Sequence, residues 1–179
     1  MIVNRAPEFL QMTAVTTFLA GPIQGTWNWQ EEMIKRFVSA LSMRSFDREI
    51  IVASQRRLDV PESRKKDFTD EMYNKQVDWE TYNLNRAAAN GLIVFWCAKE
   101  TIHDCGRAYA QTTRAELFEW KVKHERDGTK LIVGIEPGFT GEKYIRRRFS
   151  QDCPNVYIYN SFDRTCSAAI NETIAETVK

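Results

Sequence analysis

Histidine is almost missing from this sequence: His103 and His124 are the two it has in 179 residues, and neither stands at ligand spacing from another metal-binding side chain. A histidine-based metal site is therefore not expected. Cysteine is scarce as well, with four at positions 97, 105, 153 and 166, irregularly spaced and without a Cys-x-x-Cys pair. That pattern argues against zinc and against a disulfide framework, and the thiols read as reduced. Long apolar runs are also lacking. Those at 92–97 and 131–135 fall far short of the roughly 20 residues that cross a bilayer, so no membrane segment is expected. Residues 1–12 carry Arg5, Pro7 and Glu8 in place of the continuous apolar stretch of a signal peptide, which leads to the expectation of a cytoplasmic location.

An excess of charge is absent too: 25 Lys and Arg stand against 24 Asp and Glu, leaving no overall field to recruit polymeric nucleic acid or a lipid surface. The expected partner is a small molecule. No Gly-x-Gly-x-x-Gly follows a strand pattern, and no glycine loop ends in Lys-Ser/Thr, so neither a dinucleotide nor a triphosphate, nor any other cofactor, is expected.

What is present is an alternation of strand and helix patterns. Residues 14–19 form a β-branched and aromatic run closed by Gly21-Pro22, which reads as a buried strand feeding a loop. Asn28 can cap a helix from Trp29 to Met43, whose Met33, Phe37, Ala40 and Leu41 share one face. A strand at 49–54 and a polar loop at 55–66, broken by Pro61, lead to a helix over 69–89. The apolar run 92–96 suits a strand covered on both faces. After a loop at 98–111 come a helix over 113–126, a strand at 131–135, a helix over 142–149, a strand at 156–159 and a final helix after Phe162.

Five strands separated by helices predict a single-domain α/β protein, a doubly wound five-stranded parallel sheet of flavodoxin/Rossmann-like type with helices on both faces. Residues 1–12 are read as an N-terminal extension and 13–179 as the domain. Ligands of such sheets bind beyond the carboxyl ends of the strands, which points to the loops at 21–28, 55–66 and 98–111.

Four segments could carry chemistry. Phe18-Leu19-Ala20-Gly21-Pro22-Ile23-Gln24-Gly25 permits close backbone approach to a ligand, or is an ordinary strand-to-helix turn. Thr113-Arg114-Ala115-Glu116 has the form of a capping box, in which Glu116 accepts the Thr113 N–H. The same placement in a first helical turn would favour the Glu116 carboxylate as an anion and keep it ready as a nucleophile. Asp78-Trp79-Glu80 and Asn83 offer Glu80 and Asn83 on one helical face, as a solvated surface or as part of a pocket. Glu142 to Arg148 holds a basic run that reads as a solvated face given the balanced net charge.

Taken together, Phe18-Leu19-Ala20-Gly21-Pro22, Trp29 opening a helix, Val77-Asp78-Trp79-Glu80 ahead of Leu92-Ile93-Val94-Phe95-Trp96, Thr113-Arg114-Ala115-Glu116-Leu117-Phe118 and Lys143-Tyr144-Ile145 resemble, in collinear order over residues 17–149, the nucleoside 2-deoxyribosyltransferase-like family. The resemblance implies cleavage or exchange of the N-glycosidic bond of a (2′-deoxy)nucleoside through a covalent glycosyl ester on Glu116. It implies a homo-oligomer as well, with Trp27, Trp29 and Trp120 as candidate contacts. Phe18, Gly21, Pro22, Gln24, Trp29 and Asp78 would then belong to the substrate pocket.

The chain departs from the family pattern at three positions. The family's acid aspartate corresponds to Asn83, so Glu80, one turn earlier, is the expected acid, with Asn83 holding the base and Asp78 as the second choice. The tyrosine that orients the nucleophile corresponds to Phe18. An aspartate that contacts the sugar corresponds to Ala110, leaving Thr112, Thr113 or Asp104 for the sugar hydroxyls. Two further readings stand beside the first. One is hydrolysis of nucleoside 5′-monophosphates, although relatives that bind phosphate carry arginine where this chain has Gln24. The other is a non-catalytic nucleotide-binding module of the same fold.

Overall fold

The computed structural model describes residues 1–58 and 68–178. Among them lie, in chain order, β1 (Ile2–Arg5), β2 (Val15–Ala20), α1 (Trp29–Met43), β3 (Ile50–Ser54), α2 (Asp70–Ala89), β4 (Gly91–Cys97), α3 (Gln111–Asp127), β5 (Leu131–Ile135), α4 (Glu142–Asp152), β6 (Ile158–Tyr159) and α5 (Phe162–Glu176). Of the loop expected at 55–66, residues 59–66 lie outside the described residues.

The strands form one parallel sheet in the order β1-β3-β2-β4-β5-β6. Without β1 this is the flavodoxin-like order, so the expected α/β class holds with one strand more than expected. The extra strand corrects the reading of residues 1–12 as an extension, because Ile2 to Arg5 run beside Ile51 to Ser54 of β3. Four residues at a sheet edge, two of them polar, carry too little alternation to be read as a strand.

The first ten residues are also tied to α2. Asn4 Nδ2 donates to Asn83 Oδ1 at 3.0 Å, Trp79 Nε1 to the Glu8 carbonyl at 2.8 Å, and Tyr82 Oη to the Leu10 carbonyl at 2.9 Å.

Alternating strand residues feed two apolar layers. Leu19, Val52, Val94 and Trp96 pack with Met33, Phe37 and Leu41 of α1 and Ala169 and Ile170 of α5. Phe18, Ala53, Ile93 and Phe95 point to the other face, against Trp79 of α2, Leu117 and Trp120 of α3, and Ile145 and Phe149 of α4. Both faces of β4 are covered and all seven of its residues are buried, which is why it reads as an uninterrupted apolar run. Trp29 and Trp120 are consumed by these layers, which corrects their assignment to oligomer contacts; Trp27 is partly exposed, edge-on to Phe162.

Local signals set the helix starts. The Asn28 side chain caps α1 through the Glu31 N–H at 3.3 Å, and Thr69 caps α2 through the Met72 N–H at 3.2 Å. Helix α3 differs from expectation. It starts at Gln111, its cap Ala110 is left-handed with φ 51, and no side-chain cap bond forms. The capping box therefore does not exist: Thr113 is already inside the helix and Glu116 sits in its second turn. No helix among the described residues is long and apolar enough to cross a membrane.

Candidate active site

In this strand order the chain leaves β2 for β3 on one side and from β3 crosses back past β2 to β4 on the other, and a crevice opens beyond the carboxyl ends of these strands. A cleft of about 400 Å³ lies there, lined by the segments after β2 (Gly21 to Gln24) and β3 (Gln55 to Arg57), by one face of α2 and by the start of α3. The volume is in the range of small-molecule pockets.

The wall after β2 depends on close packing. Gly21 has φ +151, and a Cβ there would collide with the Trp96 carbonyl oxygen and lie 2.7 Å from Cζ2 of Trp29. Trp29 Nε1 in turn donates to the Pro22 carbonyl at 2.8 Å, so the indole anchors the loop from below. Beyond it, the Gly25 carbonyl accepts from the N–H groups of Thr101 at 2.8 Å and Ile102 at 3.1 Å, lacing this loop to the one after β4. Gly21→Ala is expected to lower the unfolding free energy by roughly 2–4 kcal/mol, since neither a carbonyl nor a buried indole can yield. Denaturant melts of the variant check this; an unchanged midpoint would show that the loop can move.

Two carboxyls face this cleft, Glu80 from α2 and Glu116 from α3. Burial pushes the Glu116 carboxyl up to about 8; the charges of Glu80 and Glu119 push the same way, and a hydrogen bond from the Gln55 side chain pulls it partly back. Burial also raises Glu80, opposed by Gln76 Nε2, which donates to Glu80 Oε1 at 2.7 Å. The same nitrogen donates to the Gln55 carbonyl at 3.0 Å, fixing the amide between α2 and the end of β3. At neutral pH burial therefore favours the protonated form of Glu116, and Glu80 is shifted in the same direction. This reverses the expectation of an ionised Glu116. A helix end acts only over its first turn, whereas burial acts on the carboxyl wherever it stands along the helix.

Of the residues expected at the site, Glu116, Glu80, Gly21, Pro22, Gln24, Thr112 and Thr113 line the cleft. Phe18, Trp29, Asp78, Asn83 and Asp104 are outside it. Phe18 is fully buried beneath, its ring 6.0 Å from that of Trp79, and Trp29 reaches the site only through the Pro22 carbonyl. Asp78 is exposed on the far side of α2, which leaves Glu80 as the acid of that segment. Asn83 is fully buried, bonded to Asn4 and donating to the Trp79 carbonyl at 2.9 Å, so its amide braces the helix and holds no ligand. Asp104 faces solvent, accepting from the Gly106 N–H at 2.8 Å. Ala110 does line the cleft, but with a methyl group.

Sequence reasoning missed Gln55, Arg56, Arg57, Gln76 and Arg107, all of which line the cleft. Gln76 could have been found, since it stands four residues before Glu80 and an i, i+4 pair shares a helical face. Gln55 to Arg57 directly follow a strand, and that adjacency was the available signal for them. Arg107 lies in the ligand loop expected at 98–111, but which of its side chains enters the cleft depends on how that loop folds across Gly25. Comparisons of the chain with protein-family models, with curated proteins and with solved structures find no match.

Proposed function

We propose that this protein cleaves or exchanges the N-glycosidic bond of a (2′-deoxy)nucleoside through a covalent ester on Glu116. The observation that carries the reading is the Glu80 and Glu116 pair, two part-buried carboxyls that face one cleft. Such a pair can supply an anion and an acid at once, the requirement of a retaining displacement at a sugar carbon.

The reactive form has the charge on Glu116 and the proton on Glu80. The Glu116 carboxylate attacks C1′ as the bond from C1′ to the base breaks, and Glu80 delivers its proton to the departing base nitrogen. An ester between the sugar and Glu116 remains, opposite an ionised Glu80. Water or a second base then attacks C1′ while Glu80 takes up its proton, and the ester electrons return to Glu116. Gln76 and Gln55 each donate to one carboxylate and so balance where the proton rests. Thr112 and Thr113, at the rim beside Glu116, are in place for the sugar hydroxyls.

Trapping tests the assignment. A 2-fluoro-deoxynucleoside, whose fluorine slows both steps by destabilising the oxocarbenium-like transition states, is expected to add its sugar mass to the peptide containing Glu116. An adduct on Glu80 would exchange the two roles. Absence of any adduct, with base release still observed, would refute the covalent step.

A further inference from the structure

Helix α3 begins on a turn that its sequence does not favour. Ala110, the residue before its first turn, stands at φ 51 and ψ 31, in the left-handed region where a Cβ is crowded, and no side chain caps the helix that follows. Ser45 is the other non-glycine residue with positive φ among the described residues, and it lies after α1, away from the cleft. Such a conformation persists only where its surroundings over-determine it.

Arg114 supplies those surroundings. Its backbone N–H donates to the Ala110 carbonyl at 3.1 Å, and its Nη2 donates to the Tyr109 carbonyl at 2.5 Å. These two oxygens belong to the peptide groups on either side of the Ala110 Cα, and the rotations of those groups are the φ and ψ of Ala110. The guanidinium lies over the Phe139 ring, 5.8 Å from its centroid, and Nη1 reaches the Thr140 carbonyl at 3.5 Å, which ties the turn to the loop between β5 and α4. Tyr109 is pinned on its other side, where Oη donates to the Ala98 carbonyl at 2.7 Å.

Arg114 does not line the cleft, whereas Gln111, Thr112, Thr113 and Glu116 do. Two residues of helix set its side chain about 200° around the axis from that of Glu116. We propose that Arg114 is a positioning residue: by holding the two peptide groups of the left-handed Ala110 turn it sets where α3 begins, and so places the Glu116 carboxyl under cover in the cleft with Glu80. A helix started one residue away would turn Glu116 by about 100° and out of that place. The benefit to catalysis rests on the reaction proposed above; the placement of Glu116 does not.

Two measurements test it, one of which needs no turnover. With isotopically labelled glutamate carboxyls followed by NMR, and the Glu116 signal assigned by its loss in Glu116→Gln, the wild-type midpoint is expected at about 8, where burial holds it. Arg114→Ala is expected to lower that midpoint by roughly one pH unit or more, as the carboxyl leaves its cover. Arg114→Lys, which keeps the charge and loses the fork, moves it the same way and carries the reading if the alanine variant does not fold. Adding Ala110→Gly to Arg114→Ala is expected to bring the midpoint back, because glycine takes a left-handed turn without a clamp. Arg36→Ala, which breaks the ion pair with Asp163 on the far face of the sheet, is expected to leave it in place. A wild-type midpoint in the ordinary carboxylate range, a midpoint unmoved in both arginine variants, or one moved equally by Arg36→Ala overturns the role. In the second measurement, base release is expected to fall roughly 10²-fold in Arg114→Ala and to recover in part with the added glycine. An undiminished rate beside a lowered midpoint overturns the benefit to catalysis. No base release from any of the proteins, wild type included, refutes the proposed reaction, while the titration still decides the role of Arg114.

Discussion

Glu116→Gln is expected to lose base release by roughly 10⁴-fold or more and, at alkaline pH, to melt at a higher temperature than the wild-type protein. The first effect follows from removing the atom that forms the ester. The second follows from proton linkage. The Glu116 carboxyl ionises near 4.5 in an unfolded chain and near 8 in the fold, so between these values the folded protein binds more protons than the unfolded one. Stability contributed by this residue is therefore undiminished below pH 4.5, falls as pH rises through that window, and is flat above it. The interval from 4.5 to about 8 sets an upper bound of about 5 kcal/mol. Solvent at the mouth of the cleft screens the charge, and a gain of about 2 kcal/mol for the glutamine variant at pH 9 is the expected size. For a chain of this length that is about 4–8 °C in Tm, shrinking toward zero near pH 4.5. Calorimetric scans of both proteins from pH 4 to pH 9 would show it. A glutamine variant less stable than wild type at pH 9 would mean that Glu116 is held as an anion by contacts stronger than its desolvation.

Glu80→Gln should slow release of ordinary bases by about 10²–10⁴-fold, the usual contribution of a positioned acid. A nucleoside whose base is already cationic, such as one methylated at N7 of guanine, leaves without a proton and is expected to lose much less. The pH profile adds an independent sign. In the wild-type protein the rate should be bell-shaped, rising as the pair of carboxyls loses its first proton and falling as it loses its second. Without the Glu80 charge, one of the influences raising Glu116 disappears, so the rise in the variant should follow Glu116 alone, at a pH below about 8. The alkaline limb should vanish. An unchanged bell in the variant would exclude Glu80 as either participant.

The order of helices and strands was legible because apolar periodicity is imposed by burial, and burial on both faces of the sheet leaves runs as clear as 92–96. What escaped was set by contacts between distant segments. Edge strand β1 is four residues long and shows its nature only when it lies beside β3. The two carboxyls were legible as candidates from their helical positions, Glu80 one turn before Asn83 and Glu116 near a helix start. Their protonation was not, because the pKa of a carboxyl depends on what covers it. The spacing of Thr113 and Glu116 suggested a cap; the helix begins two residues earlier, at Gln111, and the spacing served a different turn. Asn83 illustrates the opposite error, since a polar residue on the right helical face turned inward to Asn4. The arginines of the cleft come from loops, whose paths leave no periodic trace.

The bonds that join the first ten residues to α2 give the cleft an origin of coordinates. Through Asn4 and Asn83, Glu8 and Trp79, and Leu10 and Tyr82, the helix that presents Glu80 is indexed to the outermost strand of the sheet. Glu116 is referenced instead to the middle of the sheet, where α3 follows β4. The separation between the two carboxyls, over which the charge of Glu80 acts on Glu116, is thus a gauge length spanning the sheet from its edge to its centre. The chain's first strand and its third helix must both be in place before that length is defined.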